Sequence, residues 1–223
     1  TDDLDDWRAG LDDRQLRIHA FQLSETDRGF ATVISELAGA DQLEVAFGLA
    51  ERRRARELLD RMIRADETAF TGGSMDVADF ARSRAVTVSL ADFRAALPDD
   101  STAMLQFVTG RGGEPTTLFV VTGARTVAYR LAPIDSLTES IRRFSTLLGA
   151  GTDAGTLGTL LGGRLLSAAV DELPARVYRL VIVPEDELHR VPFDALVLSV
   201  GRFVLERFAT SLVPSATVAA RLW

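Results

Sequence analysis

The hydrophobic period of this chain changes near Ser101, and that switch constrains its fold more than any other feature. Before Ser101 the apolar residues recur at the 3.6-residue spacing of helices; after it, short β-branched and aromatic runs alternate with turn residues. Asp12 or Asp13 is placed to cap a helix carrying Leu16, Ile18, Phe21 and Leu23. A second set follows at Phe30, Val33, Ile34 and Leu37, ended by Gly39, and Asp41 is placed to cap the next helix. That third helix carries Leu43, Ala46, Phe47, Ala50, Leu58, Leu59, Met62 and Ile63. The short turn Ala38–Asp41 folds the last two into an antiparallel hairpin. Such hairpins cannot bury their apolar faces alone and normally stack in arrays, yet only one to one-and-a-half units are present and no repeat period shows. Residues 66–89 break the pattern around Thr71-Gly72-Gly73-Ser74, which reads as the domain boundary. Ser89 then caps a short helix through Leu97, closed by Pro98.

Beyond the switch, Ala103–Thr109, Thr117–Thr122 and Thr126–Leu131 read as strands, and their short Gly-containing connections predict an antiparallel meander. Pro133 ends it. Ser136 with Glu139 offers a capping box for a helix bearing Leu137, Ile141, Phe144 and Leu148. A second helix is expected over Leu157–Leu173, with Leu160, Leu161, Leu165, Ala169 and Val170 as its stripe. Leu180-Val181-Ile182-Val183 is continuously apolar, the mark of a strand buried on both faces. Pro184–Leu196 reads as a turn with a tight helical turn, Phe203–Val213 as extended chain, and Ser215 as the cap of a last helix running to Trp223. The fold class is α/β (α+β overall), with Val181, Ile182, Phe193, Leu196 and Leu205 expected in the core.

Composition narrows the functions. Hydrophobic residues make up 47% and charged residues 26% of the 223, a globular balance. There is no Cys, which excludes disulfides, thiolate metal sites and a cysteine nucleophile within this chain. No apolar run approaches the ~20 residues of a membrane span, so no membrane partner is expected and a cytoplasmic location follows by default. All 25 basic residues are Arg, as codon bias in a GC-rich genome would produce. The net charge of −7 is concentrated in residues 1–100, and an acidic protein repels phosphate backbones, so nucleic acid is not expected as a partner. The one dense basic patch, Arg52, Arg53, Arg54 and Arg56, reads as a solvated helix face with i,i+4 pairs Arg53–Glu57 and Arg56–Asp60.

Chemistry-bearing motifs are sparse. His19 sits among Ile18 and Phe21 on a helix and reads as a packing or surface residue. His189 follows a buried strand within Pro184-Glu185-Asp186-Glu187-Leu188-His189-Arg190, where α/β proteins place active sites, but no nucleophile or ligand set completes it. A structural turn is the reading adopted. Gly155–Gly163 suggests a phosphate loop but lacks the Lys-Ser/Thr ending and the preceding strand, so it reads as a helix start or a loose pre-helical loop. No serine has the Gly-x-Ser-x-Gly context. The expected catalytic, cofactor-binding and metal-ligating residues are therefore none, and no cofactor is expected.

Two segments are more specific than their chemistry. One is the run from Leu180 through Pro184-Glu185-Asp186-Glu187-Leu188 to Pro192-Phe193-Asp194-Ala195-Leu196; the other is Gly201-Arg202-Phe203-Val204-Leu205-Glu206-Arg207-Phe208, continued by Leu212-Val213-Pro214-Ser215-Ala216-Thr217. Together they resemble the N-terminal half of a CHAT domain, the caspase-like domain found behind tetratricopeptide repeats. The helix Val45–Met62, with Ala50-Glu51-Arg52 and Ala55-Arg56-Glu57-Leu58-Leu59, is similar to the last repeat helix before such domains.

The resemblance implies a tetratricopeptide-like helical segment over residues 1–70, a linker with a short helix over 71–100, and the N-terminal part of a caspase-like domain over 101–223. It implies a cysteine-peptidase family whose His and Cys dyad follows the Pro-Ser segment, beyond Trp223, so that neither His19 nor His189 inherits a role. The function it implies is non-catalytic support for the missing catalytic half; a repeat-based interaction scaffold with an inactive caspase-like domain is the alternative. The partners expected are proteins bound through the helical repeats, and either the missing catalytic half or a second copy of the chain. The apolar Leu212, Val213, Val218, Leu222 and Trp223 would meet that second surface unless Ser215–Trp223 folds back over its own sheet.

Overall fold

The computed structural model describes residues 29–69, 87–199 and 201–223, and of 58–69 the backbone alone. The expected helix with His19, the side chains of Leu58, Leu59, Asp60, Met62 and Ile63, and the turn at Thr71–Ser74 lie outside the described residues.

Helices α1 (Phe30–Gly39) and α2 (Leu43–Ala69) form the expected hairpin, and α3 (Leu90–Ala96) precedes the strands. The strands are β1 (Thr102–Val108), β2 (Thr116–Val121) and β3 (Thr126–Leu131), followed by α4 (Thr138–Gly149), α5 (Gly155–Leu165) and α6 (Ser167–Val170). Then come β4 (Arg179–Val183), β5 (Ala209–Leu212) and α7 (Ala216–Leu222). The sheet order is β3-β2-β1-β4-β5. The meander β1-β2-β3 is antiparallel, as its short turns require, whereas β4 lies parallel to both β1 and β5. The result is a mixed α/β sheet covered on both faces.

The alternation of β1 shows how the two faces are divided. Ala103, Leu105 and Phe107 point to one core with Ile141, Phe144, Leu161, Leu165 and Val170 of α4–α6, together with Phe193, Leu196 and Val204. Met104 and Val108 point to the other, with Ile34, Phe47, Ala50, Phe93, Ala216 and Ala219 of α1, α2, α3 and α7. Each large apolar side chain buried this way contributes about 1.5–3 kcal/mol. Strand β4 feeds both cores at once, through Leu180 and Ile182 on one side and Val181 and Val183 on the other, which is why its sequence shows no polar alternation.

Several local expectations need correction. Leu205 is 60% exposed, because a short 3-10 turn at Val204–Glu206 replaces the extended chain and turns Val204 inward instead. The capping box does not form: Ser136 ends a 3-10 turn with its Oγ on the Pro133 carbonyl, and α4 begins after Leu137. The helix expected over Leu157–Leu173 is broken at Leu166 into α5 and α6, and Leu160 is 43% exposed rather than part of the buried stripe. Val33 and Leu148 also face outward. Asp41 adopts φ 59° within the hairpin turn, and Gln42 occupies the position before α2. By contrast, Ser89 Oγ accepts from Asp92 N and Ser215 Oγ from Val218 N, both as helix caps.

Gly155–Gly163 is helical. Its glycines serve packing: Gly158 and Gly162, one turn apart on α5, lie against the chain at Ala195–Val197, where a Cβ on Gly162 would stand 2.1 Å from the Val197 carbonyl oxygen. Only a residue without a side chain permits that approach.

Candidate functional site

Open α/β sheets bind ligands outside the carboxyl ends of their parallel strands. Here those ends are Thr109 after β1, Pro184-Glu185 after β4 and Val213-Pro214-Ser215 after β5. The space beside them is filled by two side chains of α2. Glu51 and Arg54 stand one helical turn apart, on the face that also carries Phe47 and Ala50, and are only 1% and 6% exposed.

The Glu51 carboxylate is saturated. Oε1 accepts from Gln106 Nε2 of β1 at 3.0 Å and from Ala216 N at 3.3 Å; Oε2 accepts from Thr217 N at 2.8 Å and Thr217 Oγ1 at 2.7 Å. It thus caps the first turn of α7, where free N–H groups and the helix dipole favour an anion. The Val88 N–H donates to the same Thr217 hydroxyl oxygen at 3.1 Å, adding the lead into α3.

Arg54 ties strand ends together. Nη1 donates to the Pro184 carbonyl at 3.1 Å and Nη2 to the Phe107 carbonyl, joining the ends of β4 and β1. Glu185 Oε1 lies 4.0 Å from Arg54 Nη2 and 3.6 Å from Arg53 Nη2. Glu185 Oε2 accepts from Thr109 N, and the Thr109 hydroxyl lies 3.0 Å from that oxygen and 2.6 Å from Asp186 Oδ2. Arg53 also pairs with Glu57 at 3.0 Å and stacks 5.2 Å over the Phe30 ring. Burial pushes the Glu57 carboxyl above its ordinary value, and the neighbouring Arg53 charge offsets part of that rise. At the rim, Arg111 reaches Asp186 at 3.3 Å and Glu187 at 2.6 Å.

This arrangement holds its charges in paired contacts. Thr109 is flanked by two carboxylates, and Ser215 Oγ is used as a helix cap. Among the described residues no cluster of three or more His, Asp or Glu could hold a metal ion. His189 lies exposed in a 3-10 turn, Asp186–Arg190. A broad open depression on α5, lined by Thr156, Thr159, Leu160, Gly163 and Arg164, holds a single charged side chain. No described helix is long and apolar enough to cross a membrane.

Sequence reasoning missed this cluster. The solvated-face reading of Arg52–Arg56 fails at Arg54, which points inward, although the Arg53–Glu57 pair forms as expected. A signal was present: Glu51 and Arg54 continue the helical stripe of Phe47 and Ala50, and a charge at a stripe position has to be paired when buried. Gln106, set between the apolar residues Ala103–Leu105 and Phe107–Val108, was the matching mark on β1.

The architecture defines a mixed-sheet α/β protein with helices on both faces. Residues 152–222, just under a third of the chain, match the family model of the CHAT domain. That segment spans α5 through α7, including both runs that carry the resemblance, and a CHAT domain points to a caspase-like family. No curated protein matches the chain.

Proposed function

We propose that this chain is the non-catalytic N-terminal portion of a CHAT-domain protein resembling a cysteine peptidase, and that it supports a catalytic half encoded beyond Trp223. The observation that carries the reading is the filled crevice. Where an α/β enzyme would keep its reacting groups, this one has the Arg54 guanidinium on two strand-end carbonyls and the saturated carboxylate of Glu51. A thiolate nucleophile is the requirement of cysteine-peptidase chemistry, and the chain has no thiol. The helical hairpin packed beside the sheet suits a repeat segment that receives protein partners. Strand β5 forms a sheet edge, with Leu205 and Leu212 exposed near it, and that edge offers a surface for the catalytic half.

The test is to read the coding sequence past Trp223, express the chain with and without its downstream segment, and assay both on fluorogenic peptides. A strand ending in His-Gly, a later strand ending in Cys, and activity only in the longer protein are the expected result. A downstream sequence without that dyad favours a repeat-based scaffold with an inactive caspase-like domain. Peptide hydrolysis by the present chain alone would overturn both. Light scattering over a dilution series then separates docking of a catalytic half from self-association of this one.

A further inference from the structure

We propose that Glu51 makes α2 and α7 the two ends of one conformational latch, so that shifting α2 along the sheet releases α7, and loosening α7 loosens α2. The helices are far apart in sequence, and the Glu51 carboxylate joins them directly through Ala216 N, Thr217 N and Thr217 Oγ1. One turn further along α2, Arg54 grips the ends of β1 and β4. The axial position of α2 therefore sets two things together: whether α7 is capped and whether the strand-end turns are held.

The coupling is close to all-or-none for an electrostatic reason. A carboxylate that is 1% exposed and uses all four of its hydrogen bonds cannot give up half of them and stay buried. Either α2 is seated and both partners are satisfied, or the carboxylate moves into water and the first N–H groups of α7 lose their acceptor. Other contacts of α7 include the Ser215 Oγ cap on Val218 N, the Val88 N–H on Thr217 Oγ1, the small buried side chains Ala216 and Ala219, and, at its far end, the Trp223–Phe93 ring contact at 5.8 Å. Neither of those two hydrogen bonds nor the ring contact involves a residue of α2. A partner that pulls on the helical segment would thus have its effect delivered at the chain's last helix, which goes beyond the support role proposed above.

Hydrogen–deuterium exchange of the full 223-residue chain tests the latch, because linkage requires the effect to run both ways. Glu51→Ala should speed exchange in residues 215–223 by about tenfold while α4 and α5 keep their protection. Thr217→Val, which removes a hydroxyl on the α7 side only, should in turn speed exchange in residues 46–57. Leu161→Ala, a cavity in the opposite core, should do the reverse, loosening α4 and α5 and sparing 215–223. If Glu51→Ala leaves 215–223 unchanged, or loosens the whole sheet uniformly, the latch is wrong. Should Glu51→Ala fail to fold, unchanged exchange at 46–57 in Thr217→Val overturns it alone.

Discussion

The two faces of the sheet are held by different physics. Against α4–α6 a large apolar core runs from Ala103, Leu105 and Phe107 to Ile141, Phe144, Leu161 and Phe193. Against α1, α2, α3 and α7 an apolar patch around Phe47, Phe93 and Phe119 surrounds a buried polar core of Glu51, Arg54 and Gln106. Apolar contacts are non-directional and tolerate small slips, whereas a buried carboxylate or guanidinium demands its partners at fixed distances. The first face supplies cohesion. The second supplies register, since α2 satisfies its charges in one position only.

The contrast can be broken most severely on the apolar side. Phe193 packs against Phe107 with ring centroids 6.0 Å apart, and Phe193→Ala should cost about 3–5 kcal/mol in urea unfolding. A loss well under 1 kcal/mol would show that the pair is not central. On the polar side, Arg54→Met removes the charge but keeps much of the volume. It strands the Phe107 and Pro184 carbonyls and leaves Glu185 with less compensation, for an expected cost of about 3 kcal/mol. A neutral or stabilising result would mean that the cluster is replaceable by simple packing. Gly162→Ala should cost about 1–3 kcal/mol by forcing α5 away from Val197, detectable as a lower urea midpoint. Leu205→Ala, on the exposed turn, should change stability by about 0.5 kcal/mol or less.

The smallest effect concerns pH. Burial raises the Glu57 carboxyl above its ordinary 4.5, so the folded state binds its proton more tightly than the unfolded chain. Its contribution to stability is therefore fully present below 4.5 and declines as pH rises from there through the raised value. Glu57→Gln should flatten that decline in thermal melts taken across mildly acidic pH. An unchanged slope would show that Arg53 compensates the burial in full.

How much of the fold was legible in the sequence depends on how local each cause is. The meander, the doubly buried β4 and the caps Ser89 and Ser215 depend on a few neighbouring residues, and all could be read. The break at Leu166 and the outward turn of Leu205 leave no mark in the residue spacing, which also fits a continuous helix and an extended chain. Gly158 and Gly162 are the instructive case: the residues stood out, but their reason is the backbone at Ala195–Val197, more than thirty residues on. The polar cluster was hidden for the same cause. Glu51 finds its partners 55 and 166 residues away, at Gln106 and Thr217, and no window of sequence joins them.

The most direct test of the account is a double-mutant cycle between Glu51→Gln and Thr217→Val, read by urea unfolding. If Glu51 holds α7 through a specific charged contact, the two losses will fail to add, with a coupling of about 1–3 kcal/mol. Losses that add to within about 0.5 kcal/mol would contradict it, leaving Glu51 and Thr217 as neighbours with no shared role.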